Sequence, residues 1–189
     1  MTSLSLLVLI IFNFALVGLL PVLFFRRDGA FNLRWIATGA PFFVAPFALV
    51  LGYVGILPLT DDLSVAGTTL LQGFATLLSA TSIGLIAMTV VSHRVPLALW
   101  HQDNDAPVEL VTWGPYRHIR HPFYSSFLLA FLAGVLAFPH ALMFGCFAYG
   151  FVALSITAAR EEQRLGNSEF GGQYRRYMRA SGRFFPRLM

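Results

Sequence analysis

The chain has 189 residues, 57% of them hydrophobic and only 12% charged, with thirteen arginines and no lysine. A mean hydropathy of +0.68 leaves too little polar surface for a water-soluble monomer and predicts an integral membrane protein. The formal charge of +4 would suit nucleic acid on a soluble domain, but here the arginines flank apolar runs, so no nucleic-acid partner is expected. The lone Cys146 lies in an apolar run, which excludes an intrachain disulfide and suggests no thiol-based metal site.

A helix needs roughly 20 mainly apolar residues to cross the hydrocarbon core. Residues 2–25 supply the first such run, closed by Arg26, Arg27 and Asp28. Without a basic leading segment or a small-residue cleavage pattern, it reads as a retained helix and not a signal peptide. Residues 35–59 form the second run, with Pro41 and Pro46 expected to kink it. Residues 65–91 form the third, where Thr68, Thr69, Thr76, Ser79, Thr81, Ser82 and Gly84 suit close packing inside the chain or in a dimer; the oligomeric state is left open. A polar loop punctuated by Pro96 and Pro107 follows. Residues 123–138 and 140–159 form a helical hairpin turned at Pro139.

Beyond it, Leu165, Phe170, Tyr174, Tyr177 and Met178 share one helical face, with Arg175, Arg176 and Arg179 opposite. That pattern predicts an amphipathic helix at the lipid interface. The expected fold is all-α: one membrane-embedded domain over 1–189 with five transmembrane helices, a cytoplasmic loop before the fourth, and this C-terminal amphipathic helix. On that layout one side carries all thirteen arginines and the other none. The positive-inside rule then places the N-terminus outside and the loop and C-terminus in the cytoplasm, as a multi-pass protein of, in a bacterium, the inner membrane.

Chemistry is expected where the polar residues collect, in 110–124 and 160–186. Residues 112–124 read TWGPYRHIRHPFY. Leu110 to Thr112 look like an extended approach to a turn at Gly114 and Pro115, and Pro122 suits the first turn of a helix. Arg120 and His121 then stand at the positive end of a helix, where free N–H groups and a cation favour an anion. Glu161 and Glu162 lie at the negative end of the fifth helix, where a cationic partner or ligand should offset them; Arg160 and Arg164 are near. Such a pocket suits a zwitterion. No P-loop, dinucleotide fingerprint or serine nucleophile motif is present. Arginines among His118, His121, Glu161 and Glu162 argue against a divalent metal, so none is assigned.

Three blocks, LVTWGPYRHIRHPFY, EEQRL and FGGQYRRYMRASGRFFP, resemble the isoprenylcysteine carboxyl methyltransferase family and the related membrane phospholipid methyltransferases. The resemblance runs from about Leu110 to Pro186. It implies S-adenosylmethionine as cofactor, methyl transfer at the cytoplasmic face, and a lipophilic small-molecule or lipid-anchored acceptor arriving among membrane lipids. Carried over by motif, Tyr116, Arg120, His121 and Tyr124 surround the methionyl part, with Glu161 and Glu162 as the acidic pair. The backbone of Leu110, Val111 and Gly114 would face the adenine. Arg164 or Arg160 would orient an acceptor carboxylate, and Glu162 or His118 would serve an amine acceptor as base. Family members often carry a glycine two residues after the tyrosine of this motif, whereas here Ser125 and Ser126 follow Tyr124. Two other readings are a reductase resembling the membrane sterol reductases and a non-enzymatic membrane sensor or partner module.

Overall fold

The computed structural model describes residues 3–19, 33–58, 65–92 and 110–187. The expected flank Arg26–Arg27–Asp28, the acids Asp61 and Asp62, and the turn marked by Pro96 and Pro107 lie outside the described residues. Six α-helices are present among those described: α1 (Leu4–Leu19), α2 (Leu33–Tyr53), α3 (Val65–Ser92), α4 (Pro122–Ala137), α5 (Ala141–Gly166) and α6 (Gly171–Ala180). A single 3-10 turn, Gly114–Arg117, precedes α4.

Local chemistry explains several ends. The Ser3 hydroxyl accepts from the Leu6 N–H at 3.3 Å at the start of α1. Helix α2 runs through Pro41 and Pro46, and α4 begins on Pro122, a first-turn position that needs no N–H partner. His140 caps α5, its imidazole accepting from the Leu142 N–H at 3.1 Å, while its ring stacks on Phe138 across the hairpin turn.

The expectation of five membrane-crossing helices is overturned. Among the described residues two helical segments, Gly67–Ser92 and Ala141–Gly166, are long and apolar enough to cross a membrane. The other apolar segments, Leu4–Gly18, Gly39–Tyr53 and Pro122–Ala137, are shorter. At 1.5 Å per residue a 16-residue helix such as α1 or α4 reaches only about 24 Å, against a hydrocarbon core of about 30 Å. Helix α4 has a further reason to be apolar: it is buried on nearly every side, packed against α3, α5, α1 and α2. Its hydrophobicity serves the protein core. With the count of spans reduced, the arginine asymmetry no longer fixes the side on which residues 26–34 lie.

Around α4 the core is aromatic. The Phe42 ring lies 4.7 Å from those of both Phe127 and Phe131, and Phe14 meets Phe131 edge-on at 5.2 Å. A polar thread runs through this core. Asn13 Nδ2 donates to Ser79 Oγ at 3.1 Å, and the Ser82 hydroxyl lies 3.1 Å from Asn13 Oδ1. The same hydroxyl donates to the Ser126 carbonyl at 2.7 Å, so α1, α3 and α4 are joined inside the apolar interior.

The small-residue face expected on α3 therefore divides. Ser79, Ser82 and Thr89 point inward, whereas the Thr76 and Thr81 hydroxyls bond carbonyls of their own helix. The outer surfaces of α1, α2, α3 and α5 expose large apolar side chains, among them Phe12, Phe47, Phe74 and Phe144, a distribution that marks association with lipid.

Replacing Asn13 by leucine should lower stability by about 0.5–2 kcal/mol, the range for interhelical hydrogen bonds in membrane bundles. The check is the thermal unfolding midpoint in detergent. The double variant Asn13→Leu/Ser82→Ala should lose less than the two single losses combined, because both partners leave together.

Candidate active site

The site forms where α3 and α5 end and α4 begins. Leu110–Thr112 belong to no helix or paired strand, Trp113 is extended, and the chain turns at Gly114 with φ +59°. A Cβ on Gly114 would lie 2.2 Å from Ser92 Oγ at the end of α3. Glycine is thus required here both for the left-handed backbone and for the close approach. The 3-10 turn then delivers residues 118–121 to the head of α4.

There the C-terminal segment folds back beside them. The Gly182 N–H donates to the His118 carbonyl at 3.0 Å, the Arg120 N–H to Gly182 at 2.8 Å, and the His121 N–H to Arg183 at 3.1 Å. The Ser125 hydroxyl donates to the Phe184 carbonyl at 2.6 Å. The backbone N–H groups of Arg120 and His121, just ahead of α4, are thereby bonded to the tail. Gly182 permits the reversal, since a Cβ there would fall 1.7 Å from the Phe185 carbonyl oxygen.

Side chains reinforce the pairing. Glu162 is buried and accepts from Arg120 Nε at 2.8 Å. Arg183 grips the same carboxylate with Nε at 3.1 and 3.2 Å and Nη2 at 2.5 Å. Arg120 also donates to the carbonyls of Met178, at 3.1 Å, and Ser181. Bonding to Glu162 raises the pKa of Arg183 further. The Tyr177 hydroxyl donates to the Tyr116 carbonyl. Burial pushes the Tyr177 phenol up to about 12, and those of Tyr116 and Tyr174 higher still, so all three remain neutral hydroxyls at physiological pH.

Glu161 has a different environment. It accepts from the Tyr124 hydroxyl at 2.6 Å, and its other oxygen lies 3.5 Å from His121 Nδ1. Its side chain keeps 31% of its surface exposed, against 8% for Glu162, so Glu161 is the acid with open acceptor capacity. His121 is wedged between the two carboxylates, its Nε2 3.4 Å from Glu162 Oε1 and its ring stacked on Tyr124 at 5.3 Å. That Nε2 is buried without a hydrogen-bond partner.

Residues 74–166 match the family model described as the isoprenylcysteine carboxyl methyltransferase (ICMT) family. Over that segment the chain is similar to the ICMT family. The match covers just under half of the chain and ends with α5, so α6 and the tail lie beyond the matched region. No curated protein matches the chain. S-adenosylmethionine-dependent methyl transfer is consistent with that similarity.

Of the residues singled out in the sequence, Arg120, His121, Tyr124, Glu161 and Glu162 meet in one cluster. Tyr116 and Gly114 lie in the adjoining 3-10 turn, and Leu110 and Val111 are half-buried just before it. Arg164 is exposed but close enough to act electrostatically on Glu161. Arg160 is exposed and, among the described residues, bonds to none of the cluster. Ser125 and Ser126, which follow Tyr124, are buried and hydrogen-bonded.

Sequence reasoning missed Arg183. Its signal was thin: an arginine directly after a Ser-Gly pair, whose reversal brings it back to α5.

Glu162→Gln should release the tail. It removes the charge shared by Arg120 and Arg183, and breaking a buried pair costs about 3–5 kcal/mol. Limited trypsin digestion should cut after Arg183 faster than in the wild type, whereas Glu161→Gln should leave that cleavage rate unchanged.

Proposed function

We propose that the chain transfers the methyl group of S-adenosylmethionine to a lipophilic acceptor, a carboxylate, thiol or amine, delivered from the membrane to the end of the bundle where α3 and α5 terminate. The observation that carries this reading is the half-open Glu161 beside a buried His121 nitrogen that lacks a hydrogen-bond partner. An acid with spare capacity next to an orphaned donor or acceptor suits a ligand bearing both an ammonium and a carboxylate.

S-adenosylmethionine, when bound, supplies an electrophilic methyl group on a sulfonium. Glu161 would hold the ammonium, with Tyr124 fixing the carboxylate's orientation by its hydroxyl. His121, whose Nδ1 lies 3.5 Å from Glu161, would line the methionyl part beside it. Arg120 belongs to the same site but is engaged by Glu162 and two carbonyls, so it would reach a ligand carboxylate only in competition with Glu162. Glu162 itself is a positioning residue that keeps Arg120, Arg183 and the tail in place. The neighbouring 110–114 backbone and Tyr116 would complete the nucleoside side.

A carboxylate or thiolate acceptor needs only alignment and exclusion of water, and Arg164 or Arg160 would orient a carboxylate by a bidentate contact. Arg117 through Arg187 include nine arginines, and in this reading they mark the cytoplasmic side of the two apolar spans. The whole chain acts as one membrane-embedded domain.

Calorimetric titration tests the assignment. Glu161→Gln should weaken S-adenosylmethionine binding roughly 10- to 100-fold, the worth of one charge-assisted hydrogen bond, while the unfolding midpoint stays near that of the wild type. Transfer of a labelled methyl group into total lipid extract should label a product with the wild type only. Unaltered affinity in the variant, or thermal protection by NADPH and not by S-adenosylmethionine, would sink the reading.

A further inference from the structure

The sequence predicts that α6 lays its apolar face on lipid, but the structure turns that face to the protein. Tyr174 is 2% exposed, and the Tyr177 hydroxyl reaches the carbonyl of Tyr116. The face left outward is basic: Arg175, Arg176 and Arg179 are all exposed. Arg175 Nη1 donates to the Gly166 carbonyl at 2.7 Å, which holds it over the end of α5. Arg187 donates to the Arg179 carbonyl, adding a fourth guanidinium beside the third. None of the four has a carboxylate partner among the described residues. Glu161 and Glu162 face inward, leaving Glu169 as the one fully exposed acid among the described residues.

We infer that this face of α6 with Arg187 binds the phosphates of anionic phospholipid headgroups. Concentrated positive charge with no carboxylate paired to it among the described residues calls for an anionic partner. Continuity with the apolar surface selects lipid over a dissolved anion. Phe151, Val152 and Ile156 on α5 are exposed, Arg160 follows Ile156 by one turn, and the short segment 167–170 joins α6 to the end of α5. The basic face therefore begins where the lipid-facing surface stops. An anionic leaflet attracts such residues, and each one neutralised should weaken binding about fivefold. The inference shares with the proposed function only the membrane placement of α5, and its test does not read methyl transfer.

The full chain is purified in neutral detergent and titrated with dioleoylphosphatidylglycerol or dioleoylphosphatidylcholine, following the thermal midpoint. Phosphatidylglycerol should raise the midpoint more than phosphatidylcholine, and raising the salt from about 0.05 to 0.5 M should erase the difference. Arg176→Gln/Arg179→Gln/Arg187→Gln should require about a hundredfold more phosphatidylglycerol for the same shift. The matching lysine triple should respond like the wild type. If the glutamine triple does not fold, Arg176→Gln alone, whose side chain makes no described contact, should still show the fivefold loss. Equal response to the two lipids, an undiminished response in the glutamine variants, or full reproduction of the shift by glycerol phosphate at the same concentration would overturn the inference.

Discussion

A carboxylate buried between two guanidiniums sets the geometry of this end of the molecule. Glu162 comes from α5, Arg120 from the segment before α4, and Arg183 from the tail beyond α6. An unpaired buried carboxylate would be strongly unfavourable, so these three segments are held together or none is held well. The backbone repeats the same message. The N–H groups of Arg120 and His121, which a helix start leaves without intrahelical partners, end on carbonyls of Gly182 and Arg183. Charge and backbone thus fix the same register.

The two adjacent acids differ because a helix turns 100° between successive residues. Glu162 faces the tail and is saturated with donors. Glu161, one step round, faces Tyr124 and His121 and stays half-open. Sequence spacing alone presents EE as an equivalent pair. The fold makes one acid a fastening and leaves the other with capacity for a ligand, and it places the unpartnered His121 nitrogen beside both.

How far this was readable from sequence depends on what each residue touches. Helices α3 and α4 fall within a residue of the runs that hydropathy marks, α5 continues seven residues past its run, and the cluster of Arg120, His121, Tyr124 and the acids follows from the hairpin that brings α4's start to α5's end. Hydropathy cannot distinguish a helix facing lipid from one enclosed by protein, and that is why α4, apolar on all sides and buried on nearly all, reads as a span. Likewise the Tyr174–Tyr177 stripe announces an apolar face without naming its partner. Arg183 was hidden for a different reason. Its contact depends on a reversal at Gly182 tight enough to exclude any Cβ, a three-dimensional fact with no periodic trace.

The register of α4 connects the apolar core to this polar end. Ser126 accepts from Ser82, which also lies against Asn13, so its position along α4 is tied to α1 and α3. Ser125, the next residue toward the site, donates to Phe184 in the tail, and Tyr124, the next again, holds Glu161. Three consecutive residues of one helix therefore face the core, the tail and the open acid in turn. A helix cannot slide or rotate to satisfy one of these contacts without straining the others. The precision of the Glu161–His121 arrangement is thus inherited from packing in the core rather than from the polar groups themselves. The Ser125 hydroxyl thereby fastens the tail to α4, while that of Ser126 bonds back to the Phe123 carbonyl within the helix.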